Sequence, residues 1–304
     1  MTRKSMMLFL SLALIATAAA SNALGQTVLT GDWTASLVKD NSKLNLNFER
    51  RTENGHRHTY GQTYEFSELG LTREQVQNGG PVRFTLAREA GTIECEGSFQ
   101  NGKGSGTFRF TSNPAFVSAM KSRGFDFERG SSRWADESTP ENRLFAAAAV
   151  NVTTTLADDL LSAGFGKLDV DDLFKAAIFH VDSTFMREMK ATGFPNLTME
   201  DLVKARIFKI DAQFVSQAAQ MGFDKEGFEG LIKLRIFKVT PEFITEVRNE
   251  GLTNLSAEDA VKLRIFKIDA EFIRKAKEEG VPLNVESLVR RRIGVDTASR
   301  KVII

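Results

Sequence analysis

Four stretches decide the fold: Ile178-Phe179-His180-Val181, Ile207-Phe208-Lys209-Ile210, Ile236-Phe237-Lys238-Val239 and Ile265-Phe266-Lys267-Ile268. Each begins 29 residues after the one before, and a degraded fifth copy, Arg292-Ile293-Gly294-Val295, stands 28 further on. Other columns keep the same period: Gly164, Gly193, Gly222, Gly251 and Gly280, and Phe185, Phe214, Phe243 and Phe272, with Leu156 one period earlier. A constant period of this size marks stacked supersecondary units, each of which buries its apolar face only against its neighbours.

Each unit reads as two short helices. Asp182, Asp211, Thr240 and Asp269 suit the N-cap of the first, where a side-chain oxygen satisfies an orphan N–H. Pro241 follows Thr240 at the first helical position, where a missing donor does no harm. The column glycine then ends the helix in a left-handed cap. A second helix opens at Thr198 or Ser256, with Glu200-Asp201 or Glu258-Asp259 in its first turn, favourable at the positive end of the dipole. Leu202, Val203, Ile207 and Phe208 are expected to form its apolar stripe. Helices of about ten residues do not persist alone in water, so stacking must hold them.

The repeat extends upstream. Phe110-Thr111-Ser112-Asn113-Pro114-Ala115-Phe116 aligns with Phe237 to Phe243, and Gly124 with Gly251. Phe116 to Leu156 spans 40 positions rather than 29, so this unit holds about 11 extra residues, assigned to the polar stretch Glu128 to Ser138 with Trp134. The first repeat helix therefore follows the last strand directly.

The pattern between Val28 and Phe110 has a period of two. In Lys43 to Arg50, Leu44, Leu46 and Phe48 alternate with Asn45, Asn47 and Glu49; in Thr92 to Phe99, Ile93, Cys95 and Phe99 lie opposite Glu94, Glu96 and Ser98. Trp33 to Lys39, Thr63 to Phe66, Pro81 to Ala87 and Thr107 to Phe110 complete about six strands. Glu53-Asn54-Gly55 and Asn101-Gly102 supply turns, the second a strong hairpin signal. Thr72 caps a short helix between strands. The expected class is α+β: a small antiparallel β-domain, sandwich or open barrel, over 26–112, then an α-solenoid of about six helix-turn-helix units over 113–299 and a tail over 300–304.

Arg3 and Lys4 precede an uncharged apolar run from Met6 to about Ala20, followed by small residues at Ala18-Ala19-Ala20, Ser21-Asn22-Ala23 and Ala23-Leu24-Gly25. This is a secretory signal layout over 1–25. The run is short for a membrane span, which needs about 20 residues, and no cysteine lies near to carry a lipid. A periplasmic or secreted protein is expected, without a stable membrane span once the signal is cleaved. Cleavage takes the formal charge from +1 to −1, which argues against a nucleic-acid partner. One cysteine excludes an internal disulfide scaffold.

Two charged columns run along the array. Lys175, Lys204, Lys233, Lys262 and Arg290 each follow an acid four residues earlier, namely Asp171, Glu200, Glu229, Glu258 and Glu286. Such i,i+4 pairs contribute about 0.2–0.5 kcal/mol each. Arg206, Arg235, Arg264 and Arg292 have no such partners, and Lys209, Lys238 and Lys267 lie three residues after the first three. Stacking makes these seven a basic ladder. It is either a candidate surface for an acidic protein or anionic polymer, or a solvated ridge paired with acids of the neighbouring unit.

Catalytic patterns are sparse. The histidines are His56, His58 and His180, and the sequence holds no His-Glu-x-x-His and no spaced Cys/His set. His56-Arg57-His58 reads as a solvated hairpin tip, and His180 occupies the column of Lys209. Ser118-Ala119-Met120-Lys121 matches the Ser-x-x-Lys of penicillin-recognising enzymes, but it lies on a repeat helix without Ser-Asp-Asn or Lys-Thr-Gly. Gly102-Lys103-Gly104-Ser105-Gly106 reads as a hairpin turn rather than a phosphate loop. No catalytic residue, metal or cofactor is expected.

Pro241-Glu242-Phe243-Ile244-Thr245-Glu246-Val247-Arg248 and Leu263-Arg264-Ile265-Phe266-Lys267-Ile268 resemble repeats of exported bacterial proteins. They are similar to the extracytoplasmic C-terminal region of antirepressor-type membrane metallopeptidases, relatives of the beta-lactam sensors. The segments 82–92, 97–99 and 104–108 resemble the β-module that precedes such repeats. The resemblance implies a periplasmic or secreted sensing or interaction module. It carries no peptidase activity, since the multi-span part and the zinc-binding helix motif have no counterpart here. The leading expectation is an exported non-enzymatic interaction protein with a protein partner in the cell envelope. The alternatives are a hydrolase or ligand-binding enzyme using the β-domain, and a structural envelope component; oligomeric state is not readable.

Overall fold

The computed structural model describes residues 28–40, 42–51, 55, 57–129, 139–164 and 166–295. Strands β1 (Val28–Leu37), β2 (Leu44–Arg51), β3 (Arg57–Tyr64), β4 (Gly80–Arg88), β5 (Gly91–Gln100) and β6 (Lys103–Ser112) form one antiparallel sheet in the order β3-β2-β1-β6-β5-β4. Asn101 and Gly102, with φ +51° and +74°, join β5 to β6 and leave Gln100 opposite Lys103. Two left-handed residues in a two-residue loop match the twist of the flanking strands.

The sandwich or barrel expectation is corrected: the six strands make a single open sheet. The alternation buries Trp33, Leu44, Leu46, Phe48, Phe84, Ile93, Cys95, Phe108 and Phe110 on one side, while Asn45, Asn47, Glu94 and Glu96 line the other. With one apolar face, the sheet needs one covering layer, and helices supply it. The stretch Gly102 to Gly106 is likewise more than a turn, since β6 begins at Lys103. Its glycines serve packing: a side chain at Gly104 would collide with the Phe99 ring, and one at Gly97 with the Trp33 ring. Trp33 Nε1 donates to the Glu96 carbonyl at 3.1 Å.

The covering layer comprises a 3-10 turn at Phe66–Leu69, α1 (Arg73–Asn78) and α3 (Pro140–Ala149). Thr72 caps α1 reciprocally with Gln75, through bonds of 3.2 and 2.8 Å. Helix α3 is buried on nearly every side. Its Phe145 ring stacks on Phe108 at 4.8 Å and meets Phe48, Tyr60 and Phe110 edge-on. The Tyr64 hydroxyl donates to the Ala149 carbonyl at 3.1 Å, and the buried Arg143 donates through Nε to the Phe127 carbonyl at 2.8 Å. Sheet and helices thus share one continuous core.

From Asn113, which caps α2 (Pro114–Ser122) directly after β6, helices alternate between two layers. First helices are α2, α4 (Thr154–Ser162), α6 (Ser183–Ala191), α8 (Ala212–Gln220), α10 (Pro241–Asn249) and α12 (Ala270–Glu278). Second helices are α3, α5 (Val170–Phe179), α7 (Met199–Phe208), α9 (Phe228–Ile236), α11 (Ala257–Ile265) and α13 (Val285–Ile293). From α5 onward each second helix packs beside the next. Asp182, Asp211, Thr240 and Asp269 accept the amides of Phe185, Phe214, Phe243 and Phe272 at 2.7–3.3 Å. The column glycines carry φ between +70° and +108°, just past the first helices. The Glu128 to Ser138 insertion, with Trp134, lies largely outside the described residues, as do Glu53 and Asn54 of the expected turn.

One stripe assignment is corrected. Leu202 and Val203 are buried, but Ile207, Ile236, Ile265 and Ile293 are 52%, 48%, 48% and 55% exposed. At 100° per residue the buried arc of α7 takes Met199, Leu202, Val203 and Ala205. Ile207 falls just past its edge, beside Glu200 and Lys204. The core contact at that end of the unit comes from Ile210, after the helix has ended.

Candidate functional site: the outer edge of the second helices

The second helices of the inner units end on residues other than glycine. His180, Lys209, Lys238 and Lys267 hold φ of +51° to +54°, and Asn151, one period before His180, holds +59°. The left-handed region costs a residue with a Cβ roughly 1–2 kcal/mol. The array uses glycine for the same geometry at the end of every first helix from α4 to α12, yet keeps a long cation here three times over. Lys209, Lys238 and Lys267 are exposed, with no ion pair or side-chain hydrogen bond among the described residues. Two residues before each stands an exposed isoleucine.

The four arginines of the expected ladder serve a different purpose. Arg206 Nη2 donates to the His180 carbonyl at 2.7 Å and Arg235 Nη2 to the Lys209 carbonyl at 2.6 Å. Arg264 Nε reaches the Phe237 carbonyl at 3.1 Å, and Arg292 bonds the Phe266 and Lys267 carbonyls at 2.9 and 3.0 Å. Each guanidinium also lies over the column phenylalanine of its own unit, at 3.7–4.9 Å for Phe185, Phe214, Phe243 and Phe272. The partners are carbonyls and rings, not the neighbouring acids a paired ridge requires. A cation at the carbonyl end of a helix satisfies orphan acceptors and the negative end of its dipole. Of the seven ladder residues, the three lysines are free to meet another molecule.

The acid-to-base columns also differ from simple i,i+4 pairing. Lys175 bonds Asp172 and the next unit's Glu200, both at 3.5 Å, and Lys204 bonds the next unit's Glu229 at 2.8 Å. Lys262–Glu258 and Arg290–Glu286 keep the i,i+4 form at 3.1 and 3.4 Å. Lys233 has no ion pair among the described residues, because the acid three before its counterparts, Asp172 or Asp201, is Gly230 in this unit.

The remaining candidates are dispersed. His56 lies outside the described residues, His58 faces Arg50 across β2 and β3, and His180 ends α5. Ser118 donates to the Pro114 carbonyl at 3.2 Å, and Lys121 pairs with Glu128 at 2.8 Å. Cys95 is buried and its thiol pKa is pushed up by desolvation. Among the described residues no three His, Cys, Asp or Glu side chains could together hold a metal. No single helix is long and apolar enough to cross a membrane. The fold defines a mixed α+β chain, an antiparallel sheet leading into paired short helices. Comparison with protein-family models, with curated proteins and with solved structures finds no match for it.

Proposed function

We propose that the protein is an exported, non-enzymatic interaction protein whose helical array holds a protein partner in the cell envelope. The exposed edge of the second helices is the surface that does so. One observation carries this reading: a free lysine sits in the unfavourable left-handed conformation at three successive unit ends, each beside an exposed isoleucine. Glycine would end those helices at lower free energy, so the retained side chains point to work outside the fold. The arginines give the array the rigidity that such a surface needs, tying each unit to the one before. The signal layout of the first 25 residues supports export.

A photoreactive amino acid placed at Lys209 or Lys267, in the native host envelope, tests the proposal. One protein of defined mass is expected in the adducts at both positions, and none at Gln220 on the first-helix layer. Adducts at neither lysine would overturn the reading.

A further inference from the structure

We infer that the groove between α9 and α11 is the anchor point of this surface, and that it takes an apolar side chain of an acidic peptide segment from the partner. The inference rests on the interaction reading above and narrows it to one unit. The groove encloses about 600 Å³, with Phe237, Val261 and the exposed Ile265 as its apolar wall and Lys233 on its rim.

Three departures from the repeat converge here. Helices α5, α7 and α11 open with reciprocal capping boxes, Asp169–Asp172, Thr198–Asp201 and Ser256–Asp259. Helix α9 has Gly227 at its N-cap without a side-chain bond, and Gly230 where the others carry the reciprocating aspartate. The unit therefore forgoes a stabilising device its neighbours keep. Gly230 also removes the side chain that would fill the groove. Its loss of a carboxylate leaves Lys233 unpaired, while Glu258 on the opposite rim is taken by Lys262 at 3.1 Å. Glu226, whose carboxylate lies against Gly230, is the one acid on this rim without an ion pair among the described residues.

The charges favour a peptide over a membrane. Free cations near the groove, Lys233 and Lys238, attract carboxylates. The exposed glutamates of the same layer, Glu200, Glu229, Glu258 and Glu286, would oppose a flat anionic bilayer but not a narrow segment that runs along the lysines. An apolar anchor flanked by carboxylates fits both features.

The full chain without its first 25 residues would be titrated with a fluorescein-labelled 16-residue peptide of Asp, Glu, Leu and Phe. Controls replace Leu and Phe by Ser, or Asp and Glu by Lys. Gly230→Asp is the decisive variant, because it rebuilds the capping box and should raise the melting temperature while it fills the groove and pairs Lys233. Binding is expected to weaken at least tenfold in Gly230→Asp and in Lys233→Glu, and at least fivefold in Ile265→Ser. Both control peptides should bind at least tenfold more weakly than the acidic one. Undiminished binding by Gly230→Asp, equal binding of the control peptides, or no binding at millimolar peptide would overturn the groove. So would tighter, Gly230→Asp-sensitive binding to phosphatidylglycerol vesicles, or self-association lost in that variant. Envelope adducts at Lys209 that persist in Gly230→Asp would reject the groove yet leave the interaction reading standing; their absence from the parent protein rejects both.

Discussion

The Arg235 guanidinium donates through Nη2 to the backbone oxygen of Lys209 at 2.6 Å, and Lys209 is the residue that turns left-handed to end α7. The turn leaves carbonyls at the end of α7 without helical partners, and Arg235 from the next unit supplies one while its plane rests 3.9 Å from the Phe214 centroid. Phe214 is itself tied down, since its amide is bonded by Asp211 at 2.8 Å. Arg235→Lys keeps the charge but loses the planar contact with the ring and the fork geometry. We expect it to destabilise the protein by about 1–2 kcal/mol, from one charge-assisted bond and one cation–π contact. Urea unfolding measures this, and a lysine variant of parental stability would show that charge alone matters.

Lys238 is a test of retained strain. With φ at +53° it pays what glycine would not. Lys238→Gly should raise stability by about 0.5–1 kcal/mol, the relief of the left-handed conformation less the added freedom of the unfolded chain. Lys238→Val should lower it, because a β-branched residue fits that region worst. If the lysine serves a partner, the glycine variant gains in thermal midpoint as it loses binding. A glycine variant of lower midpoint would mean that the lysine stem contributes packing that outweighs the strain.

Tyr64 predicts a pH dependence. It is 2% exposed, its hydroxyl is bonded to Ala149, and burial pushes its pKa up to about 12, only partly opposed by Arg88. A phenol whose folded pKa lies above its unfolded value near 10 contributes stability in full below pH 10 and loses it as pH rises toward 12. About 2–3 kcal/mol should disappear across that window. Tyr64→Phe should remove this alkaline slope while losing about 1 kcal/mol at neutral pH for the hydrogen bond. Urea midpoints measured between pH 8 and 12 compare the two, and equal slopes would count against the assignment.

What was legible in the residues was whatever depended on local rules. The period placed the paired helices, Asp182, Asp211, Thr240 and Asp269 announced their caps, and Asn101-Gly102 announced a hairpin. What escaped depended on tertiary partners. Nothing local tells that Arg206 and its counterparts aim at carbonyls of the preceding unit, because acceptors on a backbone leave no mark in the side-chain pattern. Ile207 reads as core by type and period, and only the left-handed Lys209 behind it moves the core contact to Ile210. Helix α3 was the largest surprise. Its run of alanines after Asn142 and Arg143 looks like a weak repeat helix, yet Phe145 among those alanines fits close under six strands. The sandwich expectation failed there, since the partner layer came from the helical half of the chain.

Phe145 should therefore couple the two halves. Its ring touches Phe108, Phe48, Phe110 and Tyr60 of the sheet while its helix leads into the array. Phe145→Ala leaves a cavity the sheet cannot close, at an expected loss of about 3–5 kcal/mol. In a Trp134→Phe background, Trp33 fluorescence reports the sheet, and far-ultraviolet dichroism reports mainly the helices. Both signals should unfold together in the parent, and both should shift to lower urea in Phe145→Ala. A dichroism transition that stays in place while Trp33 moves would show that the array folds without the sheet, and that α3 is a lid on the strands rather than a joint.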